Sequence, residues 1–199
     1  MPRIIAGTLH GRTLASPPTA RTRPTSEKVR ESIFNRLSNW NVIPGATVYD
    51  LFGGTGALAF EALSRGAAHA VIAESRHSTA QLIRQNADAL GVTDQSTIIT
   101  ARAAAIPAQT AAGHLPRPSL VFLDPPYTVR TRDIDNLLGH LAEAGLRDEA
   151  CIVIEQAAHA EPITLGEEFV DEGRREYGDT AVAFFTYLDP AITSTETIG

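Results

Sequence analysis

The sequence predicts an α/β domain built on a seven-stranded, mostly parallel sheet that closes with an antiparallel hairpin. Three observations carry this. Short apolar runs at 47–51, 70–73, 97–99, 120–123 and 151–154 alternate with helical stretches near 57–65, 76–90, 103–112 and 133–145. Strands alternating with helices imply parallel pairing through right-handed crossovers. The runs are apolar throughout instead of alternating, which suits strands buried on both faces. After residue 168 the helices stop: 168–177 and 180–187 read as two strands joined at Gly178-Asp179, with no helix between.

Ahead of this core, Ile4-Ile5 and Arg12-Thr13-Leu14 are short strand candidates around Gly7 and Gly11, as in a hairpin. Residues 16–24 hold three prolines and read as a loop. Thr25 or Ser26 then caps a helix with Glu27 in its first turn. Val29, Ile33, Leu37 and Trp40 recur at helical spacing and predict its apolar face. Pro44-Gly45 ends the segment. The expected organisation is an N-terminal extension over 1–40, an α/β core domain over 41–189 and a loose tail over 190–199.

Composition narrows the class. The chain has 199 residues, 43% hydrophobic and 20% charged, which is one ordinary domain of about 100–200 residues. No apolar run approaches the roughly 18 residues a membrane helix needs. The first residues lack the apolar stretch of a signal peptide, and a lone Cys151 excludes an intramolecular disulfide. A cytoplasmic protein is expected. The six histidines are scattered, with no spacing that suggests a metal site, so no metal is expected.

The net charge of -6 hides an asymmetry. Residues 1–40 carry seven basic and two acidic groups, giving +5, whereas 41–199 carry 10 basic and 21 acidic groups, giving -11. A basic segment on an acidic body suits an anionic partner such as a phosphate backbone. A basic segment that pairs internally with the body would have the same composition.

Two motifs carry chemistry. Asp50-Leu-Phe52-Gly53-Gly54-Thr55-Gly56 follows the first strand and opens a helix. Glycines there let the backbone turn sharply and let a ligand approach the main chain. Gly54-x-Gly56-x-x-Ala59 satisfies the dinucleotide fingerprint, and Glu74 ends the second strand where a ribose-binding acid is expected. A dinucleotide and S-adenosylmethionine therefore both remain open. Asp50 favours the latter, because an acid just before the glycines repels a pyrophosphate and suits a cationic ammonium.

The second motif is Asp124-Pro125-Pro126-Tyr127 after the fourth strand. Ligands of α/β sheets bind beyond the carboxyl ends of strands. The prolines stiffen the segment and hold the residue before them extended. An exocyclic amine on a nucleobase is a poor nucleophile, since its lone pair is delocalised into the ring. The Asp124 carboxylate and Pro125 carbonyl could each accept one amine hydrogen and turn that lone pair toward a methyl donor. Preorganised groups of this kind are worth about 2.7–4 kcal/mol each, by analogy with oxyanion-hole donors. Tyr127 offers a stacking ring, worth about 1–3 kcal/mol per base.

These motifs, in this order, resemble the class I S-adenosylmethionine-dependent amino-methyltransferases. Arg3-Ile-Ile-Ala-Gly7, Gly11-Arg12-x-Leu14 and Arg23-Pro-Thr-Ser-Glu-Lys28-Val-Arg30-Glu-Ser-Ile-Phe-Asn35 resemble more narrowly the N-terminal signature of the RsmD family. Asp50-x-Phe52-x-Gly54-x-Gly56-Ala-Leu58 and Glu61-Ala-Leu-Ser-Arg65 continue the likeness. That family methylates the N2 amine of one guanine in bacterial 16S rRNA. The resemblance implies a Rossmann-like methyltransferase fold, S-adenosylmethionine as cofactor, and 16S rRNA or the small ribosomal subunit as partner. It implies that Asp50, Phe52 and Gly53 to Gly56 cradle the methionine part of the cofactor and that Glu74 binds its ribose. Asp124, Pro125, Pro126 and Tyr127 would hold the guanine. Arg3, Arg12, Arg23, Lys28 and Arg30 would contact RNA or shape the cofactor pocket. After the third strand such enzymes often carry an acid, amide or serine for the adenine. Here the stretch reads Thr100-Ala-Arg102-Ala103, which leaves a backbone contact near Ala103 as the expectation. A monomer is expected, with no separate recognition domain. The rivals are a DNA adenine-N6 or protein glutamine methyltransferase, a nicotinamide-dependent oxidoreductase, and a non-catalytic RNA-binding module.

Overall fold

A computed structural model describes residues 1–16, 27–126 and 128–193. The chain falls into two compact units, Met1–Ala103 and Ala104–Gly199. Among the described residues seven strands form one sheet of order β3-β2-β1-β4-β5-β7-β6. They are β1 (Thr47–Asp50), β2 (His69–Glu74), β3 (Ser96–Thr100), β4 (Leu120–Leu123), β5 (Ala150–Ala157), β6 (Phe169–Tyr177) and β7 (Thr180–Tyr187). The α/β class, the strand count and the terminal hairpin are as the sequence predicts.

In the first unit β1 pairs parallel with β2 and β2 with β3. The strands are joined through α2 (Ala57–Ser64) and α3 (His77–Leu90). β1 is buried at every position and β2 at its four central ones, as apolar runs require. β3 is only half-buried along its length, because it closes one end of the sheet and lacks a neighbour on one side. Val48, Tyr49, Val71, Ile72, Phe60 and Ile83 make up much of this unit's core. Each such side chain contributes about 1.5–3 kcal/mol by leaving water.

The same unit includes the N-terminal segment and α1 (Glu27–Asn39). The expected hairpin is present in reduced form. Arg3 and Thr13 make one antiparallel bridge, and Ile4 and Leu14 are fully buried beside it. On α1 the buried face is Val29, Arg30, Ile33, Phe34 and Leu37. Trp40, expected on that face, lies beyond the helix end and is 36% exposed, with the Arg36 guanidinium 4.4 Å from its ring centroid.

In the second unit β4 pairs parallel with β5, while β7 pairs antiparallel with both β5 and β6. α4 (Ile106–Ala111) and α5 (Thr131–Gly145) belong here. β6 is the other edge. It carries Asp171, Glu172, Arg174, Arg175 and Glu176 and an irregularity between Asp171 and Gly173, features that discourage pairing with another chain. The expected loose tail begins instead as a short helical turn, α6 (Pro190–Thr193). Residues 194–199 lie outside the described residues.

Candidate active site

The two motifs lie in different units: the glycine loop in the first, the Asp124 corner in the second.

The glycine loop is built by close packing. Asp50 ends β1 and is 1% exposed. Gly53 donates its N–H to the Ala73 carbonyl at 2.9 Å. A Cβ there would lie 2.5 Å from Ile72 Cγ2 and 3.0 Å from Ile83 Cδ1, so no larger residue fits. Gly56 has φ +80° and is the N-cap of α2, and its N–H donates to the Gly53 carbonyl at 2.6 Å. No side chain caps α2, so the N–H groups of its first turn are offered to a ligand.

Glu74 closes the loop from the side. Its Oε2 accepts the Gly54 N–H at 3.2 Å, and its Oε1 accepts the Arg76 N–H at 2.8 Å. A pyrophosphate would have to displace one carboxylate from the loop amide and approach another at Asp50. S-adenosylmethionine fits this pair of carboxylate acceptors better. It carries a cationic methionine end for Asp50 and a ribose diol to donate to Glu74. Phe52 is half-buried and Thr55 half-exposed in the same loop. Ala103 opens a one-turn 3-10 helix after β3 and is buried, whereas Arg102 is exposed.

In the second unit β4 is fully buried and delivers Asp124 at its carboxyl end. Asp124 is half-buried, Pro125 buried and Pro126 exposed. The Pro126 carbonyl accepts the Val129 N–H at 2.9 Å. The Pro126 carbonyl is thereby engaged within the corner itself. Tyr127 lies outside the described residues.

The expected RNA contacts divide. Lys28 is exposed on the first turn of α1. Arg3 is 62% exposed and pairs with Glu27 at 3.2 Å. Arg12 is exposed and donates from Nη2 to the Ala89 carbonyl. Arg23 lies outside the described residues. Arg30 departs from expectation: it is 1% exposed and donates from Nη2 to the Arg3 carbonyl at 2.5 Å. Burial pushes its guanidinium below the ordinary arginine value. Glu61 and Glu27 oppose that shift and Arg65 adds to it. A phosphate cannot reach a side chain so enclosed. Its part is to hold α1 against the N-terminal segment.

Sequence reasoning assigned no role to three residues that organise this unit. Glu61 on α2 is 0% exposed. Its carboxylate accepts the N–H groups of Ile5 at 2.7 Å and Ala6 at 3.0 Å, and pairs with Arg65 at 2.7 Å. Ser64 donates to the Ala6 carbonyl and accepts the Leu9 N–H. Asn86 on α3 bonds to the backbone of both Ala15 and Thr55. The available signal was a polar residue on an otherwise apolar helical face. Asn86 stands among Ala80, Ile83, Ala87 and Leu90, and Glu61 is buried within a helix of apolar neighbours.

Among the described residues no group of three or more His, Cys, Asp or Glu side chains could hold a metal ion. No described helix is long and apolar enough to cross a membrane.

Comparison with known proteins agrees with this geometry. The family model described as Conserved hypothetical protein 95 matches residues 2–186. The ribosomal RNA small subunit methyltransferase D of Escherichia coli K12 is 36% identical over 154 residues, covering 77% of this chain and 73% of its own. The solved structure of YhhF from Escherichia coli superposes with a TM-score of 0.82 at 30% identity, over 94% of this chain and 98% of that one. An RNA methyltransferase from Salinibacter ruber, solved with S-adenosyl-L-homocysteine, shares the fold at a TM-score of 0.62 and 19% identity, over 83% of this chain and 94% of its own. The chain belongs to the family described as Conserved hypothetical protein 95, the RsmD family of methyltransferases.

Proposed function

We propose that this protein transfers a methyl group from S-adenosylmethionine to the exocyclic N2 amine of one guanine in 16S rRNA. The observation that carries the reading is the pair of strand ends at the glycine loop. β1 delivers Asp50, β2 delivers Glu74, and Glu74 already holds a loop amide. When bound, the cofactor supplies an electrophilic methyl group. The chain's own residues bind and orient. Asp50 balances the ammonium, Glu74 accepts from the ribose hydroxyls, and the loop backbone receives the methionine end. A backbone contact at Ala103 is assigned to the adenine.

On the substrate side, Asp124 and Pro125 each accept one hydrogen of the guanine amine. The nitrogen lone pair is thereby turned out of conjugation and toward the methyl carbon. Methylation would leave the amine with one proton too many, and the Asp124 carboxylate, which accepts one of its hydrogens in this reading, would take that proton and pass it to solvent. Negative charge at Asp124 offsets the positive charge that develops on nitrogen, the usual role of a preorganised electrostatic group. Pro126 stiffens the corner, and Tyr127 is assigned to stack on the base. The base must be unpaired or flipped out of its helix. Lys28, Arg3, Arg12 and Arg23 are assigned to RNA phosphates.

Nucleoside mass spectrometry of 16S rRNA from a deletion strain tests the reaction. Loss of one N2-methylguanine is expected, and an unchanged modification profile would overturn the assignment. The division of labour has its own test. Asp124→Ala is expected to bind S-adenosylhomocysteine in calorimetry as the wild type does, while transfer falls by about 100-fold or more. Loss of the calorimetric signal would move Asp124 into the cofactor site.

A further inference from the structure

The first sixteen residues read from sequence as the start of a basic, RNA-directed extension. The structure ties them to the cofactor loop through one side chain. Asn86 projects from α3 and is 4% exposed. Its Oδ1 accepts the Ala15 N–H at 2.8 Å. Its Nδ2 donates to the Ala15 carbonyl at 3.1 Å and to the Thr55 carbonyl at 3.0 Å. Both amide hydrogens and the amide oxygen are thus engaged. Two carbonyl partners leave no ambiguity about which end of the amide faces them.

The Thr55–Gly56 peptide is consequently held at both ends. Asn86 holds its carbonyl, and the Gly53 carbonyl holds its N–H at 2.6 Å. Glu74 fixes the Gly54 N–H two peptides earlier. This peptide leads directly into α2, and it belongs to the loop whose backbone receives the cofactor's methionine end in the reading above. Gly54 and Gly56 have φ of +54° and +80°. A stretch this rich in glycine has many alternative conformations to lose on binding, so whatever pre-sets it lowers the cost of capturing a ligand.

The other end of the clamp is also anchored. Ala15 follows Leu14, which is 0% exposed, and the Leu14 N–H donates to the Pro2 carbonyl at 2.8 Å. Residues Ile5 to Leu9 are held to α2 by Glu61 and Ser64. At Gly7 the chain lies so close that a Cβ would fall 1.8 Å from the Ser64 carbonyl oxygen. Arg12 donates to the Ala89 carbonyl near the end of α3. The segment therefore lies across both helices that flank the cofactor loop.

We propose that Asn86 is a positioning residue for cofactor binding, and that residues 1–16 brace the glycine loop through it. The inference rests on the reading of this loop as the S-adenosylmethionine site. It makes the N-terminal segment part of the cofactor site's support, apart from any contact it makes with RNA.

The test compares S-adenosylhomocysteine affinity, by titration calorimetry, in wild type, Asn86→Ala and Ala15→Pro. Each is measured well below its own melting temperature, where the far-UV circular dichroism is that of a folded chain. Ala15→Pro removes the N–H bonded to Oδ1 and leaves α3 and the loop unaltered in sequence, so it carries the test if Asn86→Ala does not fold. Losing one partly buried neutral hydrogen bond in Ala15→Pro, or all three in Asn86→Ala, is expected to weaken binding about 3- to 30-fold. In Asn86→Ala the KM for S-adenosylmethionine rises by a similar factor, while kcat at saturating cofactor and the KM for 16S rRNA stay near wild type. Asn86→Asp keeps an acceptor for Ala15 but has no donor for Thr55, and is expected to bind as weakly as Asn86→Ala. A merely structural residue would lower the melting temperature and leave these affinities unchanged. Folded Asn86→Ala or Ala15→Pro binding as tightly as wild type would overturn the brace alone. A wild type that binds no S-adenosylhomocysteine would overturn the cofactor reading and the brace with it.

Discussion

Arg30 and Asp135 show how burial decides what a charged side chain does. Arg30 has the composition of a phosphate ligand and the position of a core residue. The helical spacing already held a sign of this, since residues 30, 34 and 37 recur at i, i+4 and i+7 and place Arg30 beside Phe34 and Leu37. Asp135 on α5 is the converse case. Its Oδ1 is buried with no hydrogen-bond partner among the described residues. Desolvation raises its carboxyl above the ordinary aspartate value, and a hydrogen bond from the Thr164 backbone only partly counters this. A carboxyl raised on folding contributes stability below its unfolded pKa and loses it as pH rises through the folded value. Near neutral pH Asp135 is therefore a liability. Asp135→Asn is expected to raise the melting temperature at pH 7, with a stability gain well under about 1 kcal/mol because the residue as a whole is only partly buried. The gain should shrink as pH is lowered toward 4. Thermal melts at the two pH values check it, and a gain that grew on acidification would contradict the sign.

At the scale of elements, α2 does two jobs with opposite ends. Its N-terminus follows Gly56 and opens toward the candidate cofactor site, while Glu61 and Ser64 farther along anchor the N-terminal segment. Glu61 satisfies two adjacent backbone N–H groups that would otherwise be left unpaired. Each orphaned donor costs about 1–3 kcal/mol. Glu61→Ala is expected to lower unfolding free energy by about 2–5 kcal/mol, measured by urea titration, with Glu61→Gln losing less because one acceptor oxygen remains. A loss under about 1 kcal/mol in Glu61→Ala would mean that water replaces the carboxylate at Ile5 and Ala6. The motifs on this element were legible because they are local: glycines before a helix, an acid after a strand. The docking was not. It joins residues 55 and 56 positions apart, and no sequence period reports such a pairing.

For the whole molecule, the sign change from +5 over 1–40 to -11 beyond is a property of the sequence. How much of the basic charge can meet RNA depends on the fold. Arg30 is enclosed, and Arg3 is shared with Glu27. Each phosphate contact contributes about 0.7–0.9 to the slope of log affinity against log salt. Lys28→Ala is therefore expected to reduce the slope for 16S rRNA by about that much. Arg30→Gln should leave the slope unchanged while lowering stability. Filter-binding isotherms across a salt series distinguish the two. An unchanged slope in Lys28→Ala would place the grip elsewhere.

By itself, the sequence determined the α/β class, the strand count, the terminal hairpin, the glycine loop with Asp50 and Glu74, and the Asp124-Pro-Pro corner. All of these are set by local chemistry: hydrophobic period, backbone freedom and the residue that ends each strand. Only the tertiary structure decided that Arg30 is internal, that β3 is half-exposed, and that Glu61, Ser64 and Asn86 bind the N-terminal segment to the helices beside the loop. Those outcomes depend on which face of a helix meets which distant backbone. Side-chain burial and long-range hydrogen bonding settle that together, once the chain has closed on itself.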